Sequence, residues 1–147
     1  MDAAGFPAER KENLVENQLQ KLLKAKKFIY LDGAMGTMLL KKGLKPGQRP
    51  ELFILEHPEI VTEIHRQYLD SGSDILYACT FGANAHKLAG TGVSPAQVVQ
   101  AAVAAAKEAV EGSRREALIA LDIGPIGEML EPGGTLRFED AYAIFRE

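Results

Sequence analysis

The apolar positions of this chain follow two alternating rhythms. Val15, Leu19, Leu22 and Leu23 recur at helical spacing within Lys11–Lys27, after a small, polar, Pro/Gly-containing stretch over residues 1–10 that reads as a loose arm. Three continuous apolar runs come next: Phe28–Leu31, Ile75–Cys79 and Leu118–Leu121. Runs that are continuous rather than alternating predict strands buried on both faces, as in a parallel sheet. Helical patterns separate them. Pro58 marks a first turn, with Val61, Ile64 and Tyr68 on one face and a stop at Gly72. Ser94-Pro95 forms an N-cap and N1 pair, with Val99, Ala102, Val103, Ala106 and Val110 on one face and Gly112 after the end. Phe138, Ala141, Tyr142 and Phe145 make a last helical face. The order is α, β, α, β, α, β, α, an α/β class of about three βα units.

That last pattern reaches Glu147 without a cap or turn signal, and three βα units leave a strand edge to be covered or continued. The expectation is the beginning of a larger domain, cut inside a helix. Composition narrows the partners. With 147 residues, 46% of them apolar, and a net charge of −3, the chain has material for one globular core and no electrostatic case for nucleic acid or an anionic membrane. No apolar stretch approaches the roughly 18 residues of a membrane-spanning helix, and the N-terminal residues lack the apolar segment expected of a secretory signal. One cysteine excludes a disulfide framework within the chain and cannot by itself make a thiolate-rich zinc site. A reduced, cytoplasmic setting is the default expectation. Lys21, Lys24, Lys26 and Lys27 read as a solvated helix end that complements the macrodipole, in preference to a basic binding patch.

The chemistry gathers at strand ends. Tyr30-Leu31 runs into Asp32, then Gly33 and Gly36 lie three positions apart, so a carboxylate ends a buried strand and backbone can approach a ligand closely. Thr37 is expected to cap a helix opened by Met38-Leu39-Leu40. Asp32, Asp74 and Asp122 mark strand ends about 45 residues apart. A phosphate-binding βα protein is a weak reading, because neither the P-loop Gly-Lys-Ser/Thr ending nor the full dinucleotide fingerprint is present. The spacing of His57, His65 and His86 matches no metal motif, which favours surface or supporting roles.

Four segments then line up: Leu31–Thr37, Ser71–Asn84, Asp122–Gly127 and Leu130–Gly134, with His57-Pro58-Glu59 opening a helix. Together they resemble the homocysteine-binding methyltransferase family over Phe28 to Glu147, and within it the N-terminal domain of the cobalamin-dependent methionine synthases. The resemblance implies a (β/α)8 TIM barrel, of which residues 28–147 are an incomplete N-terminal part and residues 1–27 an arm and helix. It implies transfer of a methyl group to the sulfur of homocysteine, which a zinc ion on three cysteine thiolates holds as thiolate. Those cysteines come from later strands, so the zinc ligands are expected beyond residue 147 and the isolated chain is expected to be inactive. Cobalamin and methyltetrahydrofolate would be handled by other domains in a methionine synthase. Relatives take the methyl group from S-methylmethionine or betaine instead, and the donor here is left open.

Mapped residue by residue, the resemblance makes Asp32 a partner for the substrate ammonium group and Gly33, Ala34 and Met35 donors of backbone N–H to its carboxylate. Thr80 would present its hydroxyl to the same ligand, and Asp122 would line the mouth. Asn84 reads better as a loop or cap residue, and Gly124-Pro125 as a structural turn. Asp122 stands where a small residue is expected, and Cys79 where a polar one is common; Cys79 reads as a buried small side chain, not a zinc ligand. The competing function is a non-catalytic interaction module that pairs through an incomplete barrel.

Overall fold

The computed structural model describes residues 18–146, which fall into two compact units divided after Tyr30. In the first, residues 18–25 are helical (α1). The arm expected over residues 1–10, and the helix expected from Lys11 as far as residue 17, lie outside the described residues. The second unit contains α2 (Met35–Lys41), α3 (Pro50–Glu56), α4 (Pro58–Asp70), β1 (Ile75–Ala78), α5 (Ala85–Leu88), α6 (Pro95–Glu111), β2 (Leu118–Leu121) and α7 (Phe138–Arg146).

β1 and β2 pair in parallel, with Ile75 opposite Leu118 and Ala78 opposite Leu121. The chain between them runs through α5 and α6, the long crossover that a parallel pair requires. The first apolar run departs from expectation. Only its last residue joins the sheet, as an isolated parallel bridge from Leu31 to Ile75, supported by the Asp32 N–H donating to the Ile75 carbonyl at 3.0 Å. Phe28 and Tyr30 remain exposed. A strand is held by its ladder and by packing on its faces, and one bridge supplies little of either.

Burial on both faces is not found either. Leu76 and Ala78 are buried against residues of α4 and α6, whereas Tyr77 between them is exposed. No residue of β2 is fully buried, and Leu121 is half exposed. The two-stranded sheet is covered by helices on one side, so the continuous apolar runs overstate what is enclosed.

The helical signals fared better. α4 begins at Pro58 and seats Val61 and Ile64 in the main core beside Leu39, Ile54, Ala78 and Ala102. Burial of each such aliphatic side chain contributes about 1.5–3 kcal/mol. Ser94 accepts from the Gln97 N–H while the Gln97 side chain accepts from the Ser94 N–H, a reciprocal cap that starts α6 where expected. The buried face of α6 keeps Ala102 and Ala106 as expected, but is rotated from Val99, Val103 and Val110 onto Val98, Ala105 and Ala109. Small alanines let α6 lie close to α4, where the Thr62 hydroxyl donates to the Ala105 carbonyl and Arg66 meets Glu108 at 3.1 Å. α7 forms over the last aromatic face, of which Phe138, Tyr142 and Phe145 stay exposed.

Candidate functional site

The loops leaving β1 and β2 and the turn after Leu31 open onto a cavity of about 860 Å³. Crevices at the carboxyl ends of parallel strands are where α/β folds bind ligands. All six residues singled out for substrate binding (Asp32, Gly33, Ala34, Met35, Thr80 and Asp122) lie in its wall. Arg49, Glu51 and Lys87 add charge to the same lining.

Asp32 is the centre of this wall. Its side chain is only 2% exposed. Oδ2 accepts from the Tyr77 N–H of β1 at 3.1 Å, and Oδ1 has no hydrogen-bond partner. Burial raises the carboxyl to about 6; the Tyr77 N–H opposes that rise and the charge of Asp122 adds to it. A buried carboxylate with one oxygen unclaimed is primed for a cationic donor, since an unmet acceptor carries its full desolvation cost.

The turn beyond Asp32 is shaped by contact. A methyl group on Gly33 would meet the Tyr68 ring and hydroxyl at 2.9 Å, so a side chain here would have to displace α4's tyrosine. α2 starts at Met35, three residues earlier than expected. Ala34 occupies the N-cap position with no side-chain capping bond, and Thr37 lies inside the helix. The first-turn N–H groups of α2 have no acceptor within the helix, and Ala34, Met35 and Gly36 lie in the cavity wall.

Thr80 has a backbone task that its position does not reveal. Its hydroxyl donates to the Asp122 carbonyl at 2.8 Å and accepts from the Asp122 N–H at 2.9 Å. The single hydroxyl proton is thereby spent on backbone, and Thr80 ties the exit of β1 to the exit of β2. Asp122 itself lines the cavity. Asn84 accepts from the Lys87 N–H and caps α5, as its spacing indicated. Asp74 is at the opposite end of β1 from the cavity, buried, with Arg115 at 3.7 Å.

Two buried residues of the site were not singled out. Glu51, on the unanticipated α3, accepts from the Gly82 N–H at 2.7 Å and so pins the loop after β1. The Pro50-Glu51 pair at a helix start was the available signal. His65 is fully buried, with Nδ1 3.9 Å from Asp32 Oδ2. It lies four residues after Val61, on the inward face of α4, and that spacing was readable. Replacing Glu51 with alanine should destabilise the chain by about 2 kcal/mol, because the Gly82 N–H loses its acceptor. Glu51→Gln keeps an acceptor and should recover most of the loss in urea titrations; equal stability of Glu51→Ala and wild type would contradict this.

Among the described residues no three His, Cys, Asp or Glu side chains are grouped so as to hold a metal ion. Cys79 is buried, and burial, followed by the charges of Glu51 and Asp122, pushes its thiol up to about 12. A thiol held protonated is a poor zinc ligand. The described residues do not fit a zinc–thiolate set.

The homocysteine S-methyltransferase family model matches residues 29–147, the stretch that holds the sheet and the entire cavity. The chain belongs to this family. Homocysteine S-methyltransferase YbgG of Bacillus subtilis is 29% identical over 135 residues, covering 82% of this chain and 43% of that protein. The homocysteine S-methyltransferase of Escherichia coli is 29% identical over 132 residues, with the same coverage of each chain, 82% and 43%. Betaine–homocysteine S-methyltransferase 1 of Pongo abelii is 35% identical over 71 residues, 48% of this chain and 18% of that one. In structure, the metallated form of the homocysteine methyltransferase MmuM from Escherichia coli superimposes with a TM-score of 0.67 at 25% identity, over 74% of this chain and 42% of that one. The chain thus spans about 43% of the length of the first two relatives.

Proposed function

We propose that the chain forms the amino-acid-binding part of a zinc-dependent homocysteine S-methyltransferase of the methionine synthase type, within an incomplete (β/α)8 barrel. The observation that carries this reading is Asp32, a buried carboxylate with a free Oδ1 in the wall of the strand-end cavity. In this reading Oδ1 takes the ammonium group of homocysteine, and the N–H groups of Gly33, Ala34 and Met35 take its carboxylate. Asp122 lines the mouth, and Thr80 holds Asp122 in register. The thiolates that bind zinc belong to sequence beyond residue 147, as does the machinery for the methyl donor. Zinc would supply a homocysteine thiolate near neutral pH. The described residues themselves bind and orient the amino-acid end.

Calorimetric titration with L-homocysteine tests the reading. The 147-residue chain should bind it, and 4-sulfanylbutanoate, which lacks the ammonium group, should bind at least tenfold more weakly, the loss expected of one charge-assisted contact. The chain alone should bind no stoichiometric zinc and transfer no methyl group. Equal binding of the two ligands would remove Asp32 from the site, and one-to-one tight zinc with turnover would refute the placement of the metal ligands.

Exposed apolar residues support a second reading. Leu121 at the end of β2 and Ile123 just after it are exposed, as are Tyr142 and Phe145 on α7, an apolar set suited to a protein neighbour. In the leading reading that neighbour is the rest of the barrel; in the alternative it is a partner of a non-catalytic module. Light scattering on the eluting chain separates them, since a monomer at high concentration speaks against self-pairing. No helix among the described residues is long and apolar enough to cross a membrane.

A further inference from the structure

Three buried polar atoms without hydrogen-bond partners are gathered behind the cavity wall: Asp32 Oδ1, His65 Nδ1 and His65 Nε2. Buried groups of this kind are rarely left unmet. His65 is completely enclosed within α4, and its Nδ1 lies 3.9 Å from Asp32 Oδ2, about 1 Å beyond a hydrogen bond. Oδ2 is already fixed from the other side by the Tyr77 N–H. The carboxylate is thus flanked by β1 and α4 through one oxygen, and its other oxygen remains free.

We propose that His65 is a positioning residue for Asp32: as a neutral imidazole it turns Nδ1–H onto Oδ2, locking the carboxylate so that Oδ1 receives an α-ammonium group. The last clause rests on the function proposed above; the pairing of His65 with Asp32 does not. Burial lowers the imidazole to about 4 and raises the carboxyl to about 6, so above pH 6 a neutral donor faces an ionised acceptor. The pair is then a charge-assisted hydrogen bond and not an ion pair. The other groups bearing on Asp32 are the Asp122 carboxylate from the β2 exit, which favours its protonation, and Tyr68 on α4, whose phenol is held protonated by burial and by the Asp32 charge. Neither one donates a charge-assisted bond to Oδ2 among the described contacts, which leaves that task to His65.

Nitrogen-15 NMR of the imidazole in the 147-residue chain at pH 8, with carbon-13 titration of the Asp32 carboxyl, reads the pair without any ligand. His65 should be the Nδ1–H tautomer. His65→Leu should raise the Asp32 pKa by about one unit, tenfold in proton affinity. His65→Asn, whose amide nitrogen occupies the place of Nδ1, should restore it. L-Homocysteine should bind His65→Leu at least tenfold more weakly at pH 8 and His65→Asn within about threefold of wild type, a rescue that a packing role would not produce. An Nε2–H tautomer, or an Asp32 titration untouched by His65→Leu in a folded chain, would overturn the proposal. Should wild type bind no L-homocysteine while His65→Leu still shifts Asp32, the pairing stands and the proposed function falls.

Discussion

Asp32→Asn is expected to make the chain more stable and to cost it its amino-acid ligand. The folded chain holds the Asp32 proton to about pH 6, against 3.8 ordinarily. Folding therefore favours the protonated acid. Its contribution to stability is complete below about pH 4 and is lost as pH rises through 6. At pH 8 the ionised carboxylate costs on the order of 2 kcal/mol. Asparagine is nearly the same shape, keeps an oxygen for the Tyr77 N–H, and carries no charge to desolvate. Its melting temperature should exceed that of wild type by roughly 4–8 °C at pH 8 and by much less at pH 4.5. The affinity for L-homocysteine at pH 8 should fall about hundredfold, near 2.7 kcal/mol, through loss of a buried charge pair. A variant that melts lower at pH 8, or that binds unchanged, would show that Asp32 is a structural carboxylate.

Gly124→Ala should be a strongly damaging single methyl group in the loop after β2. The Gly124 N–H donates to the Phe81 carbonyl at 3.1 Å, which draws the loop after β2 against the loop after β1. A methyl group on Gly124 would collide with that same carbonyl oxygen and come within 2.8 Å of the Phe81 ring. The ring can swing away; the carbonyl cannot move without breaking the bond that joins the loops. The expected loss is about 3 kcal/mol, roughly 10 °C in melting temperature. Phe81→Ala in the same chain should restore only a minor part, because the backbone clash persists. Full rescue by Phe81→Ala, or wild-type stability of Gly124→Ala alone, would sink this account.

What could be read in advance was whatever is encoded within one turn or one element. Ser94-Pro95 announces a helix because both its capping bonds are made within four residues. Leu118–Leu121 and most of Ile75–Cys79 are strands because apolar β-formers there sit between turn signals. Gathering Asp32, Gly33, Thr80 and Asp122 at one cavity followed from the rule that parallel strands present their carboxyl ends together. The resemblance to homocysteine methyltransferases, carried by those same strand-end motifs, agreed with the family match. What could not be read from the sequence depends on distant partners. Glu51 matters through Gly82, 31 positions away, and the task of the Thr80 hydroxyl is set by Asp122, 42 positions away. Phe28–Leu31 has the composition of a strand, but composition does not say how many rungs a neighbour will supply. The face of α6 rotated because valines score as more apolar than alanines, whereas close helix packing rewards the smaller side chain.

The Thr80–Asp122 clasp has a mechanical consequence. With one hydroxyl giving to the carbonyl and taking from the N–H of the same residue, the rims above β1 and β2 are joined as if the ladder ran one rung further. They cannot part unless that rung breaks. The opposite rim, carrying Asp32 and the glycine turn, meets the sheet at one backbone bridge and through the Asp32 carboxylate on the Tyr77 N–H. Any opening at this end of the fold is therefore expected at the less tightly tied jaw, the one that carries Asp32.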